Sequence, residues 1–177
     1  KYSDVMTDLF NQITTIEIKE RITAIGDYSM KGLTKATEIT ISKTVERIGM
    51  NVFEDCRSLS TINVNSENEY FISIEGILFN HDKTELIQYP IGNTRTQYQI
   101  PNGVNIIGDY SFHYSSFLTS IQISNSVTHI NSHAFYFCSS LKSIELSSQL
   151  TTIGDGSFDH CISLASIVIP ENVVSIG

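Results

Sequence analysis

One dipeptide recurs along the 177-residue chain at a nearly constant interval, and this interval restricts the fold more than any other feature. The pair Ile-Gly occurs five times in one register, outside which Ile91-Gly92 also stands, and Ile130-Asn131 takes the place of a sixth; every spacing in the register is 23 residues except one of 59, which is 23 plus 36. The five pairs are Ile25-Gly26, Ile48-Gly49, Ile107-Gly108, Ile153-Gly154 and Ile176-Gly177. A repeat of this length cannot bury its own apolar face, so the period predicts a solenoid of roughly seven stacked repeats.

Other apolar positions keep the same phase within each repeat. A large apolar residue, usually Phe, stands four positions after the glycine, and a leucine or its substitute follows six positions later. An apolar-x-apolar pair rich in β-branched residues comes next, which predicts a short strand with one buried face, paired in parallel with the strand of the next repeat. These pairs are Ile16/Ile18, Ile39/Ile41, Ile62/Val64, Tyr98/Ile100, Ile121/Ile123, Ile144/Leu146 and Ile167/Ile169.

The glycine and its successor predict the turn of each repeat. Glycine and asparagine tolerate a left-handed backbone best, so we expect a positive φ at this position, including Asn131. The next residue is an N-cap type, which predicts one short helical or 3₁₀ turn that carries the Phe into the core. These N-cap residues are Asp27, Asp109, Ser132 and Asp155.

One repeat, at about 65–100, contains the extra residues. Two apolar runs, Ile77-Leu78-Phe79 and Leu86-Ile87-Gln88-Tyr89, flank a short polar segment, so a β-hairpin is predicted with its turn between them. Insertions in a solenoid project from one face, where function concentrates, so the turn is a candidate partner contact. A structural variant that alters curvature is the alternative. The turn residues are Asn80, His81, Asp82 and Lys83.

Cysteine and histidine are residue types that form reactive and metal-binding sites. Cys56, Cys138 and Cys161 share one repeat position with Leu33 and Ser115, which predicts a small buried packing site. A disulfide or metal site at Cys138 and Cys161, in adjacent repeats, is the alternative.

The histidine pair, His129 and His133, also lacks the features of a metal site. His129 and His133 are four residues apart, but the predicted turn at Asn131 separates them and no third residue completes a zinc set. We therefore expect them to be solvated. His113 and His160 fall at variable positions of the predicted turns.

The pattern of the repeat also resembles a known family. The consensus L-x-x-I-x-I-P-x-x-V-x-x-I-G-x-x-A-F-x-x-C is similar to the BspA-type leucine-rich repeat, the Treponema-like class of 23 residues. "LTSIQISNSVTHINSHAFYFC" (118–138) and "LKSIELSSQLTTIGDGSFDHC" (141–161) are close matches, and Ile169-Pro170 carries the proline after the strand. The resemblance implies a right-handed leucine-rich-repeat superhelix, mostly β, and a surface location like that of adhesins of mucosal bacteria and protists.

Composition argues against several classes of function. The net charge is -8 and no basic cluster is present, which disfavours nucleic acid as a partner. No apolar run approaches the roughly 18 residues of a membrane span, so we expect no direct membrane insertion by this segment. The chain has no G-x-S-x-G, P-loop, H-E-x-x-H or Gly-rich dinucleotide motif. We therefore expect no enzyme activity and no cofactor.

The outward strand positions vary while the inward ones repeat, which is typical of a recognition surface on a fixed scaffold. We therefore predict that this sheet face binds a protein partner. An aromatic-rich edge is a rival surface. The sheet-face candidates are Glu17, Thr40, Asn63, Gln99, Gln122, Glu145 and Val168. The aromatic residues are Tyr28, Tyr110, Tyr114, Tyr136 and Phe137.

These observations predict a non-catalytic protein-binding module within a surface or secreted, adhesin-like protein that binds host or extracellular matrix proteins. An intracellular leucine-rich-repeat scaffold is the alternative, and a spacer in a chain that carries an enzyme elsewhere is a third reading. Residues 1–177 are expected to form a single solenoid domain. The repeat pattern departs from the consensus at Tyr2, Ser3 and Thr7, and the last repeat stops midway at "VVSIG", which predicts a fragment of a longer repeat protein.

Overall fold

A computed structural model describes residues 12–177 of the chain, so the expectations for Tyr2, Ser3 and Thr7 lie outside the described residues. The chain forms two compact units. The described part of unit 1 comprises residues 12–81 and Pro90–Asn93, and unit 2 comprises Asp82–Tyr89 and Thr94–Gly177. The prediction of one domain over the whole chain stays a prediction. The predicted fold class, a mostly β repeat solenoid with parallel strands, is confirmed.

Fifteen strands of two to four residues lie within the described part of the chain. They are β1 (Thr15–Glu17), β2 (Ala24–Ile25), β3 (Glu38–Ile41), β4 (Arg47–Ile48), β5 (Thr61–Val64), β6 (Phe71–Ile74), β7 (Ile77–Asn80), β8 (Glu85–Gln88), β9 (Gln97–Gln99), β10 (Ile106–Ile107), β11 (Ser120–Gln122), β12 (His129–Ile130), β13 (Ser143–Glu145), β14 (Thr152–Ile153) and β15 (Ser175–Ile176).

Unit 1 contains a parallel sheet in the order β1-β3-β5 and a parallel pair β2-β4. The register places Ile16 beside Ile39 and Ile39 beside Ile62, which repeats the 23-residue period of the sequence in three dimensions. Ile39 and Ile62 are fully buried, and each buried isoleucine stabilises the fold by about 1.5–3 kcal/mol.

Unit 2 contains a parallel sheet β9-β11-β13 and a parallel ladder through β8, β10, β12, β14 and β15. The Phe positions of three successive repeats stack in the core between these strands. The ring centroids of Phe112 and Phe135 are 5.0 Å apart, and those of Phe135 and Phe158 are 5.4 Å apart. Stacking at the spacing of the repeats therefore fills the interior, as the sequence predicted.

Of the two predicted turn types, the helical one is wrong within residues 12–177, where the backbone forms consecutive turns, whereas their hydrogen bonds have the three-residue spacing of the 3₁₀ alternative. In one repeat, every second N–H bonds to the carbonyl three residues earlier, and the N–H groups between them bond to the next repeat. The first set runs from Ala134 to Asn131, Tyr136 to His133 and Cys138 to Phe135, at 3.0–3.4 Å. The second runs from His133 to Asp155, Phe135 to Ser157 and Phe137 to Asp159, at 2.8–3.0 Å. A helix would keep these bonds within one repeat and lose the link to the next.

The predicted positive φ at the Ile-Gly glycine is also wrong, and so is the left-handed turn at Asn131. The left-handed residues stand two positions later, at Tyr110 (φ 54°) and His133 (φ 55°). The glycine is needed for another reason. A Cβ on Gly154 would lie 2.6 Å from the backbone nitrogen of Ser132, one repeat away. Close approach of two neighbouring backbones, and not backbone handedness, favours glycine here.

The carboxylates after the glycine link repeats instead of capping their own turn. The Met50 N–H donates to Asp27 Oδ1 at 2.8 Å, and the Ser132 N–H donates to Asp109 Oδ1 at 2.9 Å. In both cases donor and acceptor are separated by 23 residues. The predicted N-cap role is therefore wrong for Asp27 and Asp109, whose carboxylates accept the N–H of the equivalent position in the next repeat.

The long repeat contains a hairpin that was not predicted from the sequence. Strands β6 and β7 pair antiparallel, from Phe71 beside Asn80 to Ile74 beside Ile77. Glu75 (φ 53°) and Gly76 (φ 82°) form the two-residue turn with both φ positive that a tight hairpin requires. The predicted strands at 77–79 and 86–88 are present as parts of β7 and β8, and the segment Asn80–Lys83 leads from one to the other.

A buried asparagine fixes the start of this hairpin. Asn68 is 3% exposed, and its Oδ1 accepts the N–H groups of Tyr70 and Phe71 at 2.8 and 2.7 Å. Its Nδ2 donates to the carbonyls of Ser42 and Val45, both at 2.9 Å. All four bonds are to backbone atoms, so one side chain ties the inserted segment to the preceding repeat.

Candidate functional site

The predicted sheet face exists in unit 1 as a column of side chains in register. Glu17 lies beside Thr40, and Thr40 lies beside Asn63. The Asn63 amide donates to Glu38 Oε1 at 2.5 Å, and the exposed Glu17 carboxylate pairs with the Lys19 ammonium. The face here is polar and carries negative charge, and its side chains hold one another across the strands.

In unit 2 the equivalent column consists of Gln99, Gln122 and Glu145, which lie side by side on β9, β11 and β13. All three are exposed. Gln122 Nε2 donates to Glu145 Oε2 at 3.2 Å, which orients the amide and the carboxylate relative to each other. Beside this column, the Ser143 hydroxyl donates to the Ser120 hydroxyl at 3.2 Å. The arrangement presents donors and acceptors at the regular spacing of parallel strands, about 4.8 Å.

A shallow depression of about 240 Å³ lies on this face of unit 2. Its lining residues include three side-chain amides, the Ser120 hydroxyl and the half-buried Tyr98. The Tyr98 ring packs against the buried Tyr89 ring, at 5.3 Å between centroids. The lining residues are Gln97, Tyr98, Gln99, Ser120 and Gln122. Such a site can hydrogen-bond a polar backbone or side chain of a partner, but it has no charged group of its own.

Val168 is not on this sheet. The predicted strand at Ile167 and Ile169 is wrong, because residues 161–174 contain no strand, and Val168 is 83% exposed. An open groove of about 490 Å³ lies beside β13, lined on one side by residues such as Ile144 and on the other by Val168 and Pro170. The missing pairing also leaves Ile169, an inward position of the repeat, 39% exposed, since an inward position is covered only where the strand joins the ladder.

The hairpin candidates occupy the segment between β7 and β8. Asn80 is half-buried, and His81, Asp82 and Lys83 are exposed. Lys83 has a left-handed backbone, with φ 60°. Their role as a partner contact stays a prediction.

The aromatic edge has a different character from the one expected. Four of its five predicted residues belong to unit 2; three of them stack on residues of the next repeat, and Tyr136 makes edge-to-face contacts, one of them with His160. Tyr110 stacks on His133 at 4.8 Å, Tyr114 on Phe137 at 4.9 Å and Phe137 on His160 at 4.1 Å, measured between ring centroids. The ring faces therefore cover one another, and mainly ring edges are left to meet a partner. Tyr28 in unit 1 is 48% exposed, with the Lys31 ammonium 5.6 Å from its ring centroid.

The histidines do not form a metal site. His129 lies exposed on β12, where its Nδ1 is 2.8 Å from the Thr128 hydroxyl. His133 is half-buried against Tyr110, so the expectation of a solvated side chain is wrong for it, and His113 is 1% exposed. Within residues 12–177, no group of three His, Cys, Asp or Glu side chains is placed to hold a metal ion.

The prediction that the cysteine position is a small buried packing site is confirmed. Cys56, Cys138 and Cys161 are all buried free thiols. Each sulfur donates to a carbonyl 26 residues earlier, at Met30, Phe112 and Phe135, with distances of 3.1, 3.1 and 3.2 Å. Burial raises the pKa of Cys56 to about 11, so this thiol is protonated and unreactive at neutral pH.

The repeat geometry agrees with one protein family. A family model for the BspA type leucine rich repeat region matches residues 8–99 and 92–177, with six copies of the repeat. The chain belongs to this family. A search of the curated proteins found no match.

Solved structures show the same fold. A leucine-rich cell surface protein from Faecalibacterium prausnitzii A2-165 is 32% identical, with a TM-score of 0.76 over 92% of this chain and 49% of that one. The pneumococcal vaccine antigen PcpA is 27% identical, with a TM-score of 0.82 over 92% of this chain and 46% of that one. The leucine-rich-repeat protein of T. pallidum, 20% identical with a TM-score of 0.58 over 93% of this chain and 73% of that one, shares the fold. This chain spans about half the length of the first two.

The family and these neighbours support a repeat module for protein–protein interaction. Within residues 12–177 the chain forms no apolar helix of membrane-spanning length.

Proposed function

We propose that this BspA-type solenoid is a non-catalytic, adhesin-like module that binds an extracellular protein through its sheet face. One observation carries the proposal: polar side chains of unlike chemistry stand in register on parallel strands whose inward positions are uniformly apolar. Gln99, Gln122 and Glu145 are such a column. A scaffold of this kind allows the outer residues to vary without disturbing the core, and that separation is what a recognition surface needs.

The chemistry of the face favours recognition by hydrogen bonding. Gln122 is oriented by Glu145, so less conformational entropy is lost when a partner binds the pair. The depression beside them accepts one polar group of the partner. The face has few aromatic or arginine residues, which are the usual sources of high affinity, so we expect one module to bind weakly and several repeats of a longer parent chain to add avidity.

The surface location is supported by the neighbours. The Faecalibacterium protein is described as a cell surface protein, and the pneumococcal one as a vaccine antigen. An intracellular interaction scaffold is the second candidate, and the observation in its favour is that all three cysteines are free thiols. The parent sequence separates the two, because a signal peptide or a surface anchor supports the first and the absence of both from the complete parent supports the second.

The experiment is a binding assay on immobilised, purified extracellular matrix proteins, with two face substitutions combined, Gln99→Lys and Gln122→Lys. We expect binding to fall roughly tenfold or more, equivalent to about 1.4 kcal/mol, with an unchanged melting temperature. Gln149→Lys is the matched control, since Gln149 is exposed in the turn between β13 and β14. Equal losses in the double variant and the control would refute the sheet-face site. Failure of the wild-type protein to bind any matrix protein would refute the adhesin role.

A further inference from the structure

Two of the three cysteines occupy equivalent positions in adjacent repeats, 138 and 161, both in unit 2. Their thiols repeat one arrangement: Cys138 Sγ donates to the Phe112 carbonyl at 3.1 Å, and Cys161 Sγ donates to the Phe135 carbonyl at 3.2 Å. The two acceptors are themselves one repeat apart, and the Phe112 and Phe135 ring centroids are separated by 5.0 Å. The two cysteines are therefore about one strand spacing apart, some 4.8 Å, within the Cα separations that disulfides span.

We propose that Cys138 and Cys161 form a redox-sensitive pair that a disulfide-bearing oxidant, such as oxidised glutathione, converts to an intramolecular disulfide. The bond would join two neighbouring repeats of unit 2. This site is independent of the sheet face and of the proposed partner.

The two cysteines differ in a way that assigns them separate roles. Cys138 is fully buried, whereas Cys161 retains 8% of its exposure and is the one an oxidant can reach. Burial raises the pKa of Cys138. The neighbouring Cys138 side chain lowers the pKa of Cys161, because the Cys138 S–H can turn from the Phe112 carbonyl to donate to the Cys161 thiolate once that thiolate forms. Cys161 is therefore the attacking thiol and Cys138 the resolving one.

The chemistry balances with the oxidant alone. The Cys161 thiolate attacks one sulfur of the oxidant RSSR, which forms a mixed disulfide and releases RS⁻. The Cys138 thiol then gives its proton to RS⁻, and its sulfur attacks the Cys161 sulfur and displaces the second RS⁻, which takes up the proton that Cys161 lost. Two thiols and one RSSR thus give one protein disulfide and two RSH, and a dithiol reductant reverses the reaction.

The position of the bond gives it a structural consequence. Cys161 lies within the segment 154–174, which contains no strand, and upstream of it three N–H groups of the preceding repeat bond to its turn. A disulfide at this point would hold the turn at Cys161 against its neighbour where the strand ladder β9-β11-β13 gives no further support. We expect oxidation to raise the melting temperature by several degrees and to slow proteolysis within 162–174.

Cys56 is the internal control. It occupies the same repeat position in unit 1, where the preceding repeat has Leu33, and its sulfur makes the same bond to a carbonyl, at Met30. The folded wild-type protein is incubated with oxidised glutathione, unfolded in acid, and its thiols are counted after alkylation. We expect one free thiol at Cys56 and a mass two hydrogens lower. Lys142 lies between the two linked cysteines, so trypsin yields two peptides joined by the disulfide.

Single variants identify the roles. Cys138→Ala leaves Cys161 to accumulate one glutathione adduct, and Cys161→Ala leaves Cys138 essentially unmodified in the folded state. Three free thiols in the wild-type protein after oxidation, or a disulfide that includes Cys56, would overturn the proposal. The same oxidation in denaturant, where all pairings form, shows that the reagent is active and that a negative result in the folded protein has a structural cause.

Discussion

The glycine of the Ile-Gly pair offers a sharp test of what holds the repeats together, because residues 12–177 crowd this position at Gly49 and leave it without a close neighbour at Gly26. A Cβ on Gly49 would lie 2.5 Å from the Asp27 nitrogen and 2.8 Å from the Gly26 carbonyl carbon, both backbone atoms. Among residues 12–177, a Cβ on Gly26 would meet no atom within 4 Å. Neither glycine has a positive φ. Gly49→Ala and Gly26→Ala therefore differ in crowding alone.

The magnitude follows from these contacts. In Gly49→Ala the backbone of one repeat must move away from the next, which costs about 1–3 kcal/mol. The methyl group would also displace Asp27 Oδ1 and weaken its 2.8 Å bond from the Met50 N–H, a further cost of about 0.5–1.5 kcal/mol. In Gly26→Ala the smaller entropy of the unfolded chain gives a gain of about 0.4–1 kcal/mol. The same gain applies to Gly49→Ala and cancels in the comparison, so the two variants should differ by the crowding and hydrogen-bond costs, roughly 1.5–4.5 kcal/mol.

Urea denaturation and thermal melts of both variants, followed by circular dichroism, measure the difference. For a chain of this size 1 kcal/mol corresponds to roughly 2–4 °C, so we expect Gly49→Ala to melt several degrees below the wild type and Gly26→Ala at or slightly above it. Equal destabilisation by the two substitutions would show that glycine is required by the backbone conformation, as the sequence analysis expected, and would refute the crowding argument.

Three further substitutions test other parts of the structure. Phe135→Ala removes a fully buried ring and should lower the unfolding free energy by about 3–5 kcal/mol in denaturant melts, whereas Phe117→Ala, at a ring 45% exposed, should cost far less. Asn68→Ala leaves four backbone groups without their partner and should cost at least about 2 kcal/mol; a near-neutral result would mean that water replaces the amide. Burial, with the charge of Asp109, raises the pKa of Glu85, so the folded protein binds that proton more tightly than the unfolded chain and this contribution to stability is lost as pH rises. Glu85→Gln should therefore raise the melting temperature at pH 7 and leave it unchanged at pH 3, and a destabilised variant at pH 7 would contradict this sign.

Much of the core could be predicted from the repeat. The 23-residue period places Ile39 beside Ile62 and Phe112 on Phe135, because residues at equal phase in a solenoid become neighbours whatever their local conformation. The same phase indicated the buried cysteine position and the outward column from Gln99 to Glu145. Resemblance to the BspA-type repeat added the handedness and the surface context, which periodicity does not contain.

The hairpin of β6 and β7 could have been predicted from the sequence. "FISI" and "ILFN" are apolar runs joined by the two residues Glu75-Gly76, a spacing typical of a tight β-turn. The longer polar segment that begins at Asn80 is a stronger turn signal in the sequence, so the hairpin turn was predicted there and not at Glu75-Gly76.

The conformation within each repeat was decided by the tertiary structure. A short turn with N-cap residues is compatible with a helix when considered alone, but the N–H groups of His133, Phe135 and Phe137 have carbonyl partners in the next repeat, and those bonds favour consecutive turns. Gly154 is glycine because the Ser132 backbone passes 2.6 Å from where its Cβ would stand, one repeat away. The sequence by itself determined which residues of successive repeats become neighbours. How close the neighbouring backbones come, and therefore which atoms each polar group bonds, depends on the packed chain, since those distances exist only between repeats.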